Sequence, residues 1–361
     1  MAAEWTVAPS AQVLALMESN PRLAIGDGAE ARSAAADLML KLDGRTELLE
    51  MALNARGTLR RYTRDVSLDR DEQQLDVSIN RRGEKVLLSM NLSAARDTTL
   101  TSELGTTGIV ADNQRHESLS AALAPAFQVT ERTTVGGTAQ WQGSRYARTL
   151  SSPLVNYDYS LLGVNASHDT SERSSLGISA SAGRLASDGP MKNIDSIDAR
   201  LQADYRWSAK WRASASAGLS RVQTEGRNQN GSVFSAKMHR DAERYNFDAI
   251  LSRSVAPTGR GLLSRRDEAG VHLTARLLEH LDGGVVVSRI RSRDYVPLFG
   301  FSINDVRYTS AQLSLNWQVT REWTLGLGGG RYEQQLLSNE LSGHNFSASL
   351  IVAWRHLTPA G

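Results

Sequence analysis

Charged side chains at alternate positions are the residues of this sequence best suited to chemistry. Arg289, Arg291 and Arg293 fall on one face of an extended segment, with Val286 and Ile290 on the other. If Ile290 faces lipid, the three arginines form a ladder that lines a water-filled lumen. On nearby segments, other ionisable residues occupy the alternate positions that would also point into this lumen: Asp198, Arg200, Asp204, Arg206, Arg212, Asp248, Arg266, His272 and Arg276.

Two interpretations of this mixed-charge wall stay open at the level of sequence. The charged groups could offer hydrogen bonds and weak ionic contacts to a polar or acidic polymer that passes along them, as charged rings do in selective pores. The same groups could instead pair with one another across strands and stiffen the wall. The two roles are compatible.

The sequence predicts no catalytic residue, no metal site and no cofactor. None of its seven histidines belongs to an HExxH motif or another metal-ligand spacing. The chain has no cysteine, which excludes thiolate chemistry and Cys-based zinc sites. His272, beside Thr274 and near Asp248, is the one candidate group for a barrel hydrolase. Isolated His and Asp residues are common on a polar wall, so an enzyme is a minor alternative.

The segment from Tyr308 to Tyr332 shows most clearly which elements would position these residues. Apolar side chains occupy every second position on both sides of a short polar turn, and Ser, Gln, Asn, Thr and Gly fill the positions between them. Strand side chains alternate between faces, so the pattern predicts a hairpin with one apolar and one uncharged polar face. The first face carries Thr309, Ala311, Leu313, Leu315, Trp317, Val319, Trp323, Leu325 and Leu327.

Aromatic residues end several of the apolar stripes. In membrane barrels such residues form girdles at the two membrane interfaces, which favours a transmembrane strand over a soluble one. The aromatic residues predicted at an interface are Trp207, Trp211, Trp317, Trp323, Phe346 and Trp354.

Short polar turns repeat along the chain and set the strand count. They recur at about 33- to 49-residue intervals, which suits two membrane strands and one longer loop. Counting one strand on each side of every turn and loop gives eighteen strands. The count is sixteen if the segments 232–240 and 244–256 together form one irregular loop. The turns are at 43–45, 81–84, 130–132, 171–173, 208–210, 241–243, 279–280 and 320–322. The longer loops are at 19–31, 61–73, 99–115, 150–155, 187–195, 225–231, 256–260, 297–304 and 337–343.

These patterns predict an all-β fold: one domain over 1–361, a transmembrane antiparallel up-and-down barrel. Short turns would lie in the periplasm and longer loops outside the cell, and Pro9 and Pro125 would mark edges or bulges. Lipid offers no hydrogen bonds to the backbone, so only a closed sheet can cross as strands. A soluble all-β protein or solenoid is the alternative.

The composition and the expected location agree with a membrane barrel. The 361 residues carry a net charge of +2, which gives no basic signature of nucleic-acid binding. No apolar run approaches the length of a membrane helix. We expect the bacterial outer membrane, reached after removal of a leader that the sequence does not contain. The expected partners therefore include the lipid bilayer and the barrel assembly machinery.

Two short motifs resemble a known family. The opening Trp5–Pro9, followed by Glu18–Pro21, resembles that of outer-membrane barrels associated with bacterial exopolysaccharide and exosortase (PEP-CTERM) loci. Leu251–Gly261 looks like their SRS-x-x-P-[ST]-G-x-G loop, and the T-E-R, S-E-R and T-R-E turns also fit. The resemblance implies an outer-membrane exit for a secreted polysaccharide, working with a periplasmic polysaccharide export protein.

Three functions are compared on this basis. The leading hypothesis is a passive conduit for exopolysaccharide export. The second is a general or substrate-selective diffusion porin, which would need a constricting loop inside, and none of the loops is obviously long enough. The third is a barrel enzyme that acts on lipid or peptide.

Overall fold

An 18-stranded antiparallel sheet closes on itself in the computed structural model, which describes residues 4–25, 28–103, 113–147, 154–189, 191–224, 227–295, 305–337 and 341–356. Each strand pairs with the next one along the chain, and β1 pairs with β18. The fold is therefore an up-and-down barrel, as predicted, with eighteen strands and not sixteen. The strands are β1 Glu4–Glu18, β2 Ala31–Arg45, β3 Leu49–Tyr62, β4 Arg70–Arg82, β5 Val86–Thr98, β6 Arg115–Thr130, β7 Thr133–Tyr146, β8 Tyr157–Ser171, β9 Ser174–Ser187, β10 Asn193–Arg206, β11 Trp211–Thr224, β12 Arg227–Asp241, β13 Tyr245–Pro257, β14 Leu263–Leu278, β15 Leu281–Asp294, β16 Asp305–Gln318, β17 Trp323–Leu336 and β18 Leu341–Arg355.

Helical structure in the described ranges is confined to loops. A 3-10 turn, Val66–Leu68, follows β3, and one short helix, α1 (Thr99–Ser102), follows β5. None of the described helices is long and apolar enough to cross a membrane.

The two ends of the barrel differ in their connections. At one end, which also holds the start of β1 and the end of β18, each pair of strands is joined by a short turn. The connections at the other end are mostly longer, and we call this the long-loop end. One predicted loop, 225–231, is wrong, because β12 already begins at Arg227 and extends the pattern of β11. The predicted loop 297–304 lies outside the described residues.

Apolar side chains cover the outer face of the wall. Leu219 and Leu201 keep 72% and 68% of their surface accessible, although the neighbouring Ser220 and Asp198 are buried on the inner face. Lipid would cover such a band, because a soluble sheet buries its apolar face instead. The closed wall and its band are those of an outer-membrane protein, which confirms the predicted location.

The two predicted prolines mark places where pairing stops or shifts. The β1–β18 ladder begins at Ser10, just after Pro9. On β6, Ala124 and Pro125 have no partner in the β7 register, which resumes at Ala126. A proline has no N–H to give to a ladder, so both interruptions follow from its chemistry.

The packed interior lies inside the barrel, towards the long-loop end. The ladder between β12 and β13 ends at the pair Phe234–Arg253, although β12 and β13 both continue beyond it. Past that point the tips of β13, β14 and β15 lean into the lumen. Leu263 and Tyr295 are consequently buried against Val222 and other inner-face residues of β8 to β11.

Candidate functional site

Nine of the predicted lumen residues lie on the inner face. Cross-strand pairing joins five side chains in one row across β10 to β14: Arg206, Arg212, His239, Asp248 and His272. This row continues to Val286 on β15, opposite the exposed apolar stripe. The other predicted residues with the same orientation are Asp198, Arg200, Asp204, Arg266 and Arg276. Contact of any of them with a solute stays a prediction.

The predicted arginine ladder is on the wrong face. Because Val286 pairs with inner His272, the odd-numbered residues of β15 point outward, and these include Arg289, Arg291 and Arg293. Ile290 therefore faces inward, and the condition on which the ladder was based does not hold. The reason is position along the strand: near the long-loop end the outer face leaves the hydrocarbon, so charge there is no longer costly.

A cavity of about 950 Å³ occupies the lumen towards the short-turn end. Side chains of both signs line it, so neither cations nor anions dominate its wall. The charged and titratable lining residues are Arg132, Asp169, Glu172, Arg173, Asp204, Arg206, Arg212, Lys237, His239, Asp248, Glu268 and His272.

Some of the inner charges pair with each other, as one of the two interpretations predicted. His239 Nδ1 lies 2.7 Å from Asp248 Oδ1. Asp198 accepts a hydrogen bond from Arg200 at 3.3 Å along the same strand, and Arg266 forms a similar contact with Glu268 at 3.4 Å. In contrast, Arg206, Arg212 and Arg276 make no ion pair with the described residues, so their charges face the lumen.

The geometry gives no support to the hydrolase. Asp248 and His272 are cross-strand neighbours, but the short contact of Asp248 is with His239. Within the described ranges, no three His, Asp or Glu side chains converge as metal ligands would.

Apolar and tyrosine side chains pack together inside the lumen above the cavity. Tyr157 and Tyr159 on β8, Leu185 on β9, Ile194 on β10 and Val222 on β11 all point inward and are buried. They form one cluster with three residues brought in by the leaning strands and with the last residue of β7: Leu262, Leu263, Tyr295 and Tyr146. This cluster makes the interior narrow and apolar just below the long loops.

The inner loop Thr258–Leu262, between β13 and β14, completes the constriction. Its Gly259 carbonyl accepts a hydrogen bond from Val155 N at 2.8 Å, beyond β7. Ser187 Oγ donates to Gly261 O at 3.3 Å, and Gly261 has a left-handed φ of 70°. The expectation that no loop is long enough to constrict the barrel is therefore wrong, because the strands that carry this loop lean inward with it.

Buried polar groups adjoin the inner loop. Tyr146 OH donates to Glu103 Oε1 at 2.5 Å, and the Tyr146 ring stacks on His116 at 4.8 Å. His116 Nδ1 lies 2.8 Å from Asp97 Oδ1. In the loop itself, burial lowers the pKa of the Arg260 guanidinium, and the carboxylate of Asp294 opposes that shift.

A second inward cluster joins the first and third strands to the last one. Glu18 accepts hydrogen bonds from Tyr62 OH at 2.9 Å and from Asn345 Nδ2 at 3.2 Å. Leu68 and Leu100, from the 3-10 turn and α1, pack in the same region as Tyr62. Loops therefore narrow the long-loop mouth from two sides.

Sequence reasoning missed the tyrosines, the inner loop and both clusters. A signal was present, since Tyr157, Tyr159, Leu185, Ile194 and Val222 break the polar character of their face near the strand ends. An apolar side chain at a strand position that points into the lumen indicates that another part of the chain packs against it.

Tryptophans mark the short-turn end of the outer face. The strands place Trp207, Trp211, Trp317, Trp323 and Trp354 there, beside the turns. Phe346 is also on the outer face, near the long-loop end, where the Arg331 guanidinium lies 5.6 Å from its ring. The depth of these rings in a membrane stays a prediction.

Comparison with known proteins supports the fold. No protein-family model matches the sequence, and no curated protein does. The structure is similar to Pseudomonas aeruginosa OccK2 (OpdF), solved in complex with glucuronate, with 11% identity over 98% of both chains and a TM-score of 0.51. It also matches P. aeruginosa OpdQ, with 10% identity, coverage of 98% of this chain and 99% of that one, and a TM-score of 0.49. The match to OccK2 supports a barrel with the fold of outer-membrane porins. None of the comparisons supports the exopolysaccharide-associated type.

Proposed function

We propose that this protein is a substrate-selective diffusion porin for small hydrophilic solutes. The observation that carries the proposal is the constriction, in which the inner loop and the tyrosine cluster narrow the lumen above a cavity of about 950 Å³. A cavity of this size suits a small molecule, whereas a polymer in transit needs an open bore along its full length. Solutes would move down their own gradient, and the barrel would catalyse no reaction.

Within the balanced charges of the cavity, two neighbouring arginines offer a binding point for a solute that has a carboxylate. Arg206 and Arg212 face the lumen without an ion pair in the described part of the chain, and an arginine fork matches a carboxylate in two hydrogen bonds. The complex of OccK2 with glucuronate is a property of that protein, and it makes a sugar acid a sensible first probe.

Polysaccharide export, our leading hypothesis from sequence, is the second candidate. The motif resemblance carries it, and it alone requires a periplasmic export partner. The narrowed mouth counts against it, because a polysaccharide would have to displace the inner loop.

Swelling of proteoliposomes tests the proposal directly. The purified chain in liposomes should admit glucuronate and glucose, glucuronate faster, and exclude pentasaccharides and larger oligomers. Liposomes that admit none of the small solutes would overturn the porin. Deletion of the gene should leave surface polysaccharide unchanged; polymer trapped in the periplasm would favour the export conduit instead.

A further inference from the structure

A cluster of arginines lies on the outer face of β13 to β17 near the long-loop end. Three carboxylates accompany seven arginines, so the cluster has an excess of four positive charges. We call it the outer arginine patch: Arg253, Arg265, Asp267, Arg289, Arg291, Arg293, Asp305, Arg307, Arg331 and Glu333.

The position of the patch matches the upper edge of the membrane. On β15, Leu281 pairs with the interface residue Trp317 at the short-turn end, and Arg289 is eight residues further along. A strand rises about 3.3 Å per residue and tilts by about 40° in such barrels, which puts Arg289 roughly 20 Å above Leu281. Val285 and Val287 fill the outer face between them. Arg291 and Arg293 lie higher still, at the level of lipid headgroups.

Pairing within the patch satisfies only some of its arginines. Asp305 accepts hydrogen bonds from Arg291 at 2.9 Å and from Arg293 at 2.7 Å. Asp267 accepts one from Arg253 at 2.6 Å. These two carboxylates therefore hold three guanidinium groups in fixed positions.

Three other arginines keep donors available. Arg289 has no hydrogen bond or ion pair with the described residues. Arg265 approaches Asp267 only to 3.7 Å, and Arg307 pairs with the neutral Gln335. The Nε atoms of Arg265 and Arg307 are buried without a partner in the described ranges. A buried donor of a charged group is costly unless an acceptor completes it.

The wall is interrupted at the edge of the patch. Pairing between β12 and β13 stops at Arg253, whose guanidinium lies 5.3 Å from the ring of Phe234.

We propose that the outer arginine patch binds the phosphate groups of a phosphorylated glycolipid in the outer leaflet. Phosphate oxygens would bind the guanidinium groups of Arg265, Arg289 and Arg307, because a guanidinium binds phosphate through two parallel hydrogen bonds. Basic clusters at a membrane surface bind anionic headgroups in the same way.

This inference rests on the outer-membrane location and not on the proposed transport. A barrel that failed to pass solutes could still bind the glycolipid, and the two tests can therefore fail separately.

Titration of the full-length chain in detergent with bis-phosphorylated lipid A tests the inference. The variant R265Q/R289Q/R307Q removes three charges but keeps the carboxylate-paired arginines, and it should bind about tenfold more weakly or worse. The variant with lysine at the same three positions should lose less, since it keeps the charge. Binding of the glutamine variant at wild-type strength would overturn the proposal.

Controls in the same titration separate charge, phosphate and folding. R96Q/R184Q/R221Q removes three outer-face arginines from other strands and should bind as the wild type does. Heat-shifted electrophoretic mobility establishes that each variant is a folded barrel. Lipid A without its phosphates should bind weakly to the wild type. Equal binding of dephosphorylated lipid A, or of phosphatidylglycerol, would overturn a phosphorylated glycolipid as the ligand.

Discussion

Single residues on the inner wall divide into paired and unpaired charges. Asp198 forms an ion pair with Arg200, and the His239 ring forms a short contact with Asp248. Arg206 and Arg212 are cross-strand neighbours of like charge without ion pairs in the described part of the chain. Like charges side by side repel, so their proximity suits recognition of an anion better than it suits stability.

Removal of these two charges should change which ions pass. In a planar bilayer with a KCl gradient, R206Q/R212Q should shift the reversal potential towards cation preference, because two cations leave the lumen wall. R184Q/R221Q removes two outer-face charges from nearby strands and should leave the reversal potential where it is. Identical shifts in both variants, or no shift in the first, would contradict a role of the inner arginines in selectivity.

Among the structural elements, the β13–β14 hairpin carries the inner loop into the lumen. Its outer side separates from β12 after Arg253, and its loop binds to groups beyond β7 and β9. Glycine at position 261 allows the inner loop to pack this closely, since a Cβ there would lie 2.7 Å from Ser187 Oγ and Val155 Cγ2. The left-handed φ of Gly261 adds about 1–2 kcal/mol of strain for any other residue.

Gly261→Ala should therefore release the inner loop and raise single-channel conductance. The control is Gly57→Ala, since a Cβ at Gly57 would meet nothing within 4 Å. Conductance and its noise, recorded in planar bilayers, report the loop position. Equal conductance for wild type and Gly261→Ala would show that the loop does not limit the current.

The wall of the barrel faces hydrocarbon on its outer side and water on its inner side. Leu201 on β10 is among the most exposed apolar side chains, and its neighbour Gln202 donates a hydrogen bond to Ser179 on the inner face. A charge on the lipid face costs about 2–4 kcal/mol at mid-membrane, whereas the inner face is hydrated.

Adjacent substitutions measure that difference. Leu201→Arg should lower the free energy of unfolding in liposomes by about 2–4 kcal/mol. Gln202→Arg should cost much less, because its charge enters the lumen. Urea titration, followed by tryptophan fluorescence, gives both values. A similar loss for the two variants would contradict the assignment of faces on β10.

Prediction from sequence was most accurate where one physical rule applied. From Ser196 to Arg206 on β10 the inner face is polar and the outer face is apolar, so alternation gave the faces of Asp198, Arg200 and Asp204 correctly. It failed on β15, where Arg289 and Arg293 lie outside and Ile290 inside. Near the long-loop end the outer face meets headgroups and the inner face meets packed loops. Charged residues can therefore lie on the outer face there and apolar residues on the inner face.

The sequence by itself determined most strands and short turns and the closed wall, and it favoured eighteen strands over sixteen, because a two-residue period and turn chemistry are local properties. Only the tertiary structure decided that the β13–β14 hairpin leaves its neighbour, that the lumen is constricted, and that Arg289, Arg291 and Arg293 face outward. Those outcomes depend on where a ladder ends and on contacts between strands distant in the chain. The local alternation of polar and apolar residues carries no information on such contacts.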